Sequence, residues 1–213
     1  MLEAMTVLQG SLLDLVGDPG PRPLGPAMLD RCELGDGAWV DLGRGWLAGA
    51  DALFERLRVA VPWRTERRPM YEQMVDVPRL MAFFGEGEAL PDPMLDAARG
   101  ALNAYYGAEP GGPLCTAGLC LYRDGHDSVA WHGDTIGRGA HTDTLVAIMS
   151  LGTTRRVSLR RGGGGRTRPI DMVSGDLLVM GGSCQRTWQH AVPKTARPVG
   201  PRLSVQFRQH GVR

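Results

Sequence analysis

From residue 115 onward the chain is cut by glycine, proline and aspartate into short apolar runs, and this cadence limits its fold more than any other feature. In order the runs read CTAGLCLYRD, SVAWHGD, TLVAIMSLG, RRVSLRR, RTRPIDMV, DLLVMGG, TWQHAVP and RLSVQFRQH. Stretches of roughly four to eight residues between turn formers predict strands, because a helix needs a longer uninterrupted period. About eight in succession suit an antiparallel sandwich or barrel and are enough for a jelly roll. The 30 glycines and 15 prolines among 213 residues point the same way, since a helix bundle has little use for so many turn residues. Gly162 to Gly165 is the one low-complexity patch, a hairpin tip, and no internal repeat is present.

The first half reads differently. LAGADALFERLR (47–58) puts Leu47, Ala50, Leu53, Phe54 and Leu57 on one helical face. PDPMLDAARGALNAYYG (91–107) does the same with Met94, Leu95, Ala98, Leu102 and Tyr105, and Gly107 is placed to cap it. Residues 1–45, rich in Gly, Pro and Leu, are expected to supply edge strands or a loose arm. The predicted fold class is α+β and mainly β: a jelly-roll (double-stranded β-helix) core with supporting N-terminal helices. Residues 1–60 read as an N-terminal extension with a scaffold helix and 61–213 as the jelly-roll region, together one continuous domain with an adequate core.

A net charge of +1 excludes a uniformly basic nucleic-acid binder and leaves local patches to consider. Cys32, Cys115, Cys120 and Cys184 show no CxxC spacing, so reduced thiols are expected. MLEAMTVLQGSLLDL lacks a basic start and carries Glu3 and Asp14, so a secretory signal is not expected. No apolar stretch approaches the roughly 20 residues of a membrane span. A cytoplasmic monomer with no membrane partner is the expectation.

The chemistry is concentrated in few residues. Among only 5 histidines, two stand in His-x-Asp triplets, His132-Gly133-Asp134 and His141-Thr142-Asp143. On an extended chain such residues share a side, about 6–7 Å apart, so imidazole and carboxylate can converge on one ion. With a distant histidine, the pair makes the facial triad that leaves Fe(II) positions open for co-substrate and dioxygen. Spacing alone does not choose between the triplets, and an isolated triplet is more often a solvated loop. In PRLSVQFR, alternation puts Arg202, Ser204, Gln206 and Arg208 on one face and Leu203, Val205 and Phe207 on the other. Two arginines in a buried strand are costly unless each meets an anion, and a dicarboxylate would satisfy both. An exposed face would need no such partner.

In this order and spacing, LYRDGHDSVAWHGD, SGDLLVMGGSCQRTWQHAVPK and PRLSVQFR resemble the AlkB family of Fe(II)- and 2-oxoglutarate-dependent dioxygenases. The resemblance spans about residues 75–210 and fades upstream of VPRLMAFFGEG (77–87). It implies that His132, Asp134 and His190 hold iron, which selects the first triplet and leaves His141 and Asp143 on the rim. It implies that Arg202 meets the far carboxylate of 2-oxoglutarate, Arg208 the end near the metal, and that Tyr122 contacts the co-substrate. The sequence departs from the family at Cys120, where an asparagine is common, and at Ser204 and Gln206, where Asn and Thr are.

The reaction so implied consumes O2 and 2-oxoglutarate, releases succinate and carbon dioxide, and frees a methyl group from a base nitrogen as formaldehyde. The base, in DNA or in RNA, must be flipped out or single-stranded to reach the metal. His132 is implied as one wall beside it; Tyr71, Phe83, Phe84 and Trp188 are candidates for the other, each more often core. Arg79 lies in a tripeptide resembling a substrate-facing loop. RRVSLRRGGGGRTR carries Arg155, Arg156, Arg160, Arg161, Arg166 and Arg168 and no acidic residue, a cationic ridge suited to phosphates or a merely solvated hairpin. Thr135, Ile136 and Gly137 stand where many relatives have acidic residues. That departure favours the alternative of an oxygenase acting on a protein side chain or small metabolite. A catalytically silent barrel that only binds nucleic acid is the third reading.

Overall fold

The computed structural model describes residues 18–70 and 73–212. Strands β1 (Gly20–Pro21), β2 (Leu29–Gly35), β3 (Ala38–Gly43) and β4 (Leu47–Ala48) precede helix α1 (Ala50–Ala60). The hairpin β5 (Arg64–Met70) and β6 (Gln73–Phe84) leads to α2 (Pro93–Tyr106). Then come β7 (Leu114–Tyr122), β8 (Val129–His132), β9 (Val146–Gly152), β10 (Arg155–Arg161), β11 (Arg168–Met172) and β12 (Leu177–Gly182). The short helix α3 (Cys184–Thr187) runs into β13 (Trp188–Val192), and β14 (Arg202–Gln209) follows. All eight runs predicted downstream of residue 115 are strands.

They close as a two-sheet sandwich. The larger sheet has the order β2-β3-β12-β9-β14-β7-β6-β5, and the smaller one β11-β10-β13-β8. Period-two alternation sorts side chains between two cores. Leu203, Val205 and Phe207 of β14 point to the outer core with Leu119, Met149 and Leu151, where Leu53, Phe54 and Leu57 of α1 and Leu95, Ala98 and Leu102 of α2 cover the sheet. The inner core, between the sheets, holds Cys120, Tyr122, Val146, Ile148, Leu178 and Met180 against Val157, Leu159, Trp188 and Val192. Each large apolar side chain buried in this way contributes about 1.5–3 kcal/mol.

Both helices form where the apolar period predicts, with corrected ends. Leu47 and Ala48 pair with Pro21 and Gly20 as a short ladder, so α1 starts at Ala50, after Gly49 turns the chain at φ 76°. In α2, Asp92 accepts from the Met94 N–H at 2.9 Å and Pro93 occupies the first turn. Tyr106, not Tyr105, joins the buried face, and its hydroxyl donates to Asp41 at 2.7 Å. Gly107 sits at φ −62°, a helical value, so it is no left-handed cap.

Residues before 60 contribute more than a helix, because β3 lies inside the large sheet, paired with β12. Hairpin β5–β6 is an element the sequence pattern does not reveal. Its register shifts between Thr65 and Arg67, and Pro78, which has no N–H to donate, falls in the unpaired stretch. The pairing of β12 with β3 sets Gly181 opposite Trp39. A Cβ there would lie 2.1 Å from Trp39.

Gly181→Ala is therefore expected to destabilise the fold by about 1–3 kcal/mol, as overpacking does. Gly100→Ala, on the exposed side of α2 with nothing within 4 Å, is expected to stabilise it by about 0.5–1 kcal/mol. Denaturant unfolding of both variants checks the pair; equal effects would contradict the packing described.

Candidate metal and co-substrate site

The smaller sheet brings two histidines face to face. His132 ends β8 and His190 lies in β13, and the two are register partners across the ladder. Their rings lie 4.2 Å apart between centroids. Asp134 follows just beyond β8, and its Oδ1 lies 3.9 Å from His132 Nε2. Donor atoms of His132, Asp134 and His190 all lie within 4.8 Å of one another.

Each of the three is held from behind. The His132 Nδ1 lies 2.8 Å from the Ala130 carbonyl, which turns Nε2 toward the other donors. Arg208 Nε donates to Asp134 Oδ2 at 2.6 Å, leaving Oδ1 on the histidine side. The Asp134 N–H donates to Gln185 Oε1 at 2.9 Å, and Gln185 is itself buried in α3. Gly133 allows that approach, since a Cβ there would lie 2.2 Å from the Gln185 carbonyl oxygen.

The electrostatics suit a metal. Burial pushes the Asp134 carboxyl up, but the Arg208 guanidinium and then His190 outweigh it and hold it at about 2. Burial, reinforced by His132, brings His190 down to about 3. Burial also lowers His132. Two neutral imidazoles and one ionised carboxylate are thus ready at neutral pH, the ligand set of a facial Fe(II) triad.

Across the sandwich, β14 lies between β7 and β9 and supplies a polar strip. Arg202 pairs in register with Tyr122 and Gly152, and Ser204 with Cys120 and Ser150. Arg202 is 1% exposed. Its Nε donates to Ser150 at 2.9 Å, while Nη1 and Nη2 are buried without a hydrogen-bond partner. The Tyr122 ring centre lies 5.3 Å from the guanidinium carbon. Burial, with Cys120 adding to it, pushes the Tyr122 phenol up to about 12, so it stays a hydrogen-bond donor. Two orphaned guanidinium nitrogens buried between the sheets are what a carboxylate would satisfy. Gln206 donates to the Ser204 carbonyl at 3.0 Å and its Oε1 lies 3.7 Å from Cys120 Sγ. The three residues that depart from the family pattern thus form one network below Arg202.

Other sequence-predicted residues divide. Arg79 lies on the β6 face toward the site, donates to the Ser128 carbonyl at 3.1 Å and contributes to lowering His132. Phe83 faces the same side opposite Gly118 and is 53% exposed. Phe84 points the other way and packs against the outer core, away from the face that carries Phe83. Trp188 is buried in the inner core on the same face as His190, a packing residue and not an open stacking surface. Tyr71 lies outside the described residues. His141 is exposed and Asp143 pairs with Arg186, so among the described residues the second His-x-Asp triplet joins no metal-ligating cluster.

The arginine hairpin β10–β11 is not a row of unengaged cations. Arg155 is buried and donates to the carbonyls of Asp124, Asp127 and Pro193 at 2.7, 2.9 and 3.0 Å. Arg156 pairs with Asp171 at 2.8 Å, and Arg161 with Asp36. Arg160 covers the Trp131 ring at 4.2 Å and donates to Gln189, while the Arg168 guanidinium sits 5.5 Å from the Trp188 ring centre. Arg161, Arg166 and Arg168 remain exposed to solvent.

Residues 85–208 match the 2OG-Fe(II) oxygenase superfamily. The chain is 31% identical over 185 residues to the alpha-ketoglutarate-dependent dioxygenase alkB homolog 3 of Bos taurus, covering 76% of this chain and 62% of that protein. Against the DNA oxidative demethylase ALKBH2 of Arabidopsis thaliana it is 30% identical over 130 residues, 50% of this chain and 41% of that protein. It spans about three-fifths of the length of the alkB homolog 3 relatives it matches. The solved structure of OsALKBH1 superposes with a TM-score of 0.57 at 18% identity, over 85% of this chain and 100% of that one, a likeness of fold. A Pseudomonas putida prolyl-4-hydroxylase does so with 0.50 at 18% identity, over 81% and 93%.

Gly133→Ala is expected to push the Asp134 backbone off Gln185 and weaken divalent metal binding about 10- to 100-fold, the usual cost of losing support behind a ligand. Calorimetric titration with Co(II) checks this; unchanged affinity would show that the Gln185 contact does not position the carboxylate.

Proposed function

Because the chain belongs to the 2OG-Fe(II) oxygenase superfamily, we propose that it is an AlkB-type dioxygenase that removes alkyl groups from base nitrogens in nucleic acid. DNA is the first choice of polymer and RNA the second. One observation carries the reading: His132, Asp134 and His190 converge at the smaller sheet, and the facing sheet carries a buried arginine with two unbonded nitrogens. Similarity to alkB homolog 3 proteins and to a DNA oxidative demethylase supports the substrate class.

His132, Asp134 and His190 would hold Fe(II), and Arg202 with Tyr122 the far carboxylate of 2-oxoglutarate. Iron and 2-oxoglutarate, when bound, supply the activation of dioxygen that no side chain can perform. The chain's own work is to hold and exclude. Arg208 keeps Asp134 ionised and aimed, and neutral imidazoles leave their nitrogens free to ligate. Ile148, Leu178 and Met180 line the inner core and keep water from the centre. A target base must leave its stack to enter, and Arg79 and the exposed Phe83 stand on the side from which it would come.

A second reading is favoured by two observations. Arg156 and Arg161 are paired within the protein, and Thr135 and Ile136 follow Asp134 without an acidic group. They suit an oxygenase acting on a protein side chain or small metabolite. Mass spectrometry of methylated DNA and RNA oligonucleotides, with formaldehyde release, separates the readings. We expect turnover of a single-stranded substrate only with Fe(II) and 2-oxoglutarate, and its loss in His132→Ala and Asp134→Ala. Arg160, Arg161 and Arg166 replaced together by Ser should weaken oligonucleotide binding; unchanged turnover and affinity would favour the other substrate class.

Arg202→Met tests the co-substrate role against stability. Losing a charge-assisted carboxylate contact of about 3 kcal/mol should raise the KM for 2-oxoglutarate roughly 100-fold. Because the guanidinium is buried and only partly bonded, the ligand-free melting temperature should stay level or rise. A fall in melting temperature with an unchanged KM would make Arg202 a structural residue.

A further inference from the structure

Among the described residues, two groups of three metal-ligating side chains converge. The second is Glu86, Cys115 and His210, whose donor atoms also lie within 4.8 Å of one another. It shares no residue with the triad. Glu86 stands in the turn after β6, Cys115 near the start of β7 and His210 just past the end of β14. Distant parts of the sequence are thus brought to one end of the large sheet.

We propose that Glu86, Cys115 and His210 form a second metal site, of the zinc class, with one coordination position left to water. The donor set is the argument for the class. A thiolate and an imidazole with one carboxylate select zinc-like ions over magnesium or calcium, which take oxygen ligands. The site differs in kind from the triad, which contains no sulfur. His210 Nδ1 now lies 2.8 Å from Glu86 Oε2. An ion about 2.0–2.3 Å from each donor would replace that contact. Both of these side chains are largely exposed and can adjust, while Cys115 is partly buried and anchored in its strand.

Burial, and then the Glu86 carboxylate, keep the Cys115 thiol protonated in the metal-free protein. Binding would release that proton to solvent as the sulfur becomes a ligand. Two cations stand near, Arg99 and Arg138. Arg99 donates to the Cys115 carbonyl at 3.4 Å and pairs with Asp96 at 2.8 Å, and Arg138 donates to the His210 carbonyl at 3.3 Å. Arg99 is engaged by a backbone carbonyl and the Asp96 carboxylate and Arg138 by backbone carbonyls, neither by the three donor atoms. Three protein ligands make an exchangeable site, unlike the closed four-ligand sites that fold small domains. Its occupancy would fasten the last residues of β14, two positions beyond Arg208, to the turn that follows β6.

Co(II) titration of the protein tests this. Because His132, Asp134 and His190 offer no sulfur, a thiolate-to-cobalt absorption band in the near ultraviolet reports the second cluster alone. We expect the band to saturate stoichiometrically and Zn(II) to bleach it by displacement. Cys115→Ser should abolish it while the weak visible absorption of cobalt at the triad persists. His210→Ala should weaken the binding that it reports by more than about tenfold, since even lost outer-shell partners cost that much. Cys32→Ser should leave it intact. Absence of the band in the wild-type protein, or its survival in Cys115→Ser, would overturn the proposal and leave Glu86 and His210 as an ordinary surface ion pair.

Discussion

A guanidinium held between two sheets, with two of its nitrogens unbonded, is the condition around which the rest of this molecule is arranged. Arg202 cannot shed its proton, and an unmet charge in such a place is costly. The fold tolerates it because β14 is fixed on both sides, by β7 and by β9 along its whole length. The same alternation that turns Arg202 inward turns Leu203, Val205 and Phe207 outward to the helices. The apolar outer face therefore secures the polar inner one. Helices α1 and α2 have no chemistry of their own, yet they are what makes the charged strip affordable.

The opposite wall shows the complementary device. There the groups are kept uncharged where a ligand needs a lone pair, and charged only where an ion pair supports it. Burial strips the histidines of their protons, while Arg208 reaches from the large sheet to hold Asp134 ionised. That ion pair ties the large sheet to the metal-ligating cluster, beside the apolar packing between the sheets. The two arginines of β14 thus differ: Arg208 pairs with Asp134 through Nε, and Arg202 keeps two buried nitrogens unbonded.

Much of this was legible in the amino-acid order, for identifiable reasons. The eight downstream strands could be read because turn residues bound each run and alternation is strong in the central ones. Hairpin β5–β6 could not, since its charged residues and Pro78 hide any alternation. His132 and Asp134 could not be told from His141 and Asp143 by spacing; family resemblance chose, and the structure brings only the first pair to His190. Gln185 carried no signal, because it acts on a backbone N–H and nothing in SCQRT betrays that. The arginine hairpin was legible only in part. Its sequence shows charge but not partners, and Asp36 reaches Arg161 from 125 positions away. Phe83 and Phe84 are both candidates by residue type, and alternation in β6 sends Phe84 to the outer core and Phe83 to the opposite face.

Alternation in β14 also decides how such a chain can vary in length over generations. One residue inserted between 202 and 208 would exchange the faces beyond it, carrying apolar side chains to the polar inner face and an arginine into the helix interface. The strand can therefore drift in residue type, as Ser204 and Gln206 illustrate, but not in residue count. The tip at Gly162–Gly165 is under no such rule, since a flexible loop twice as long costs only about 0.6 kcal/mol more to close. Insertions and deletions in relatives of this chain should accumulate at that tip and be purged from the strand.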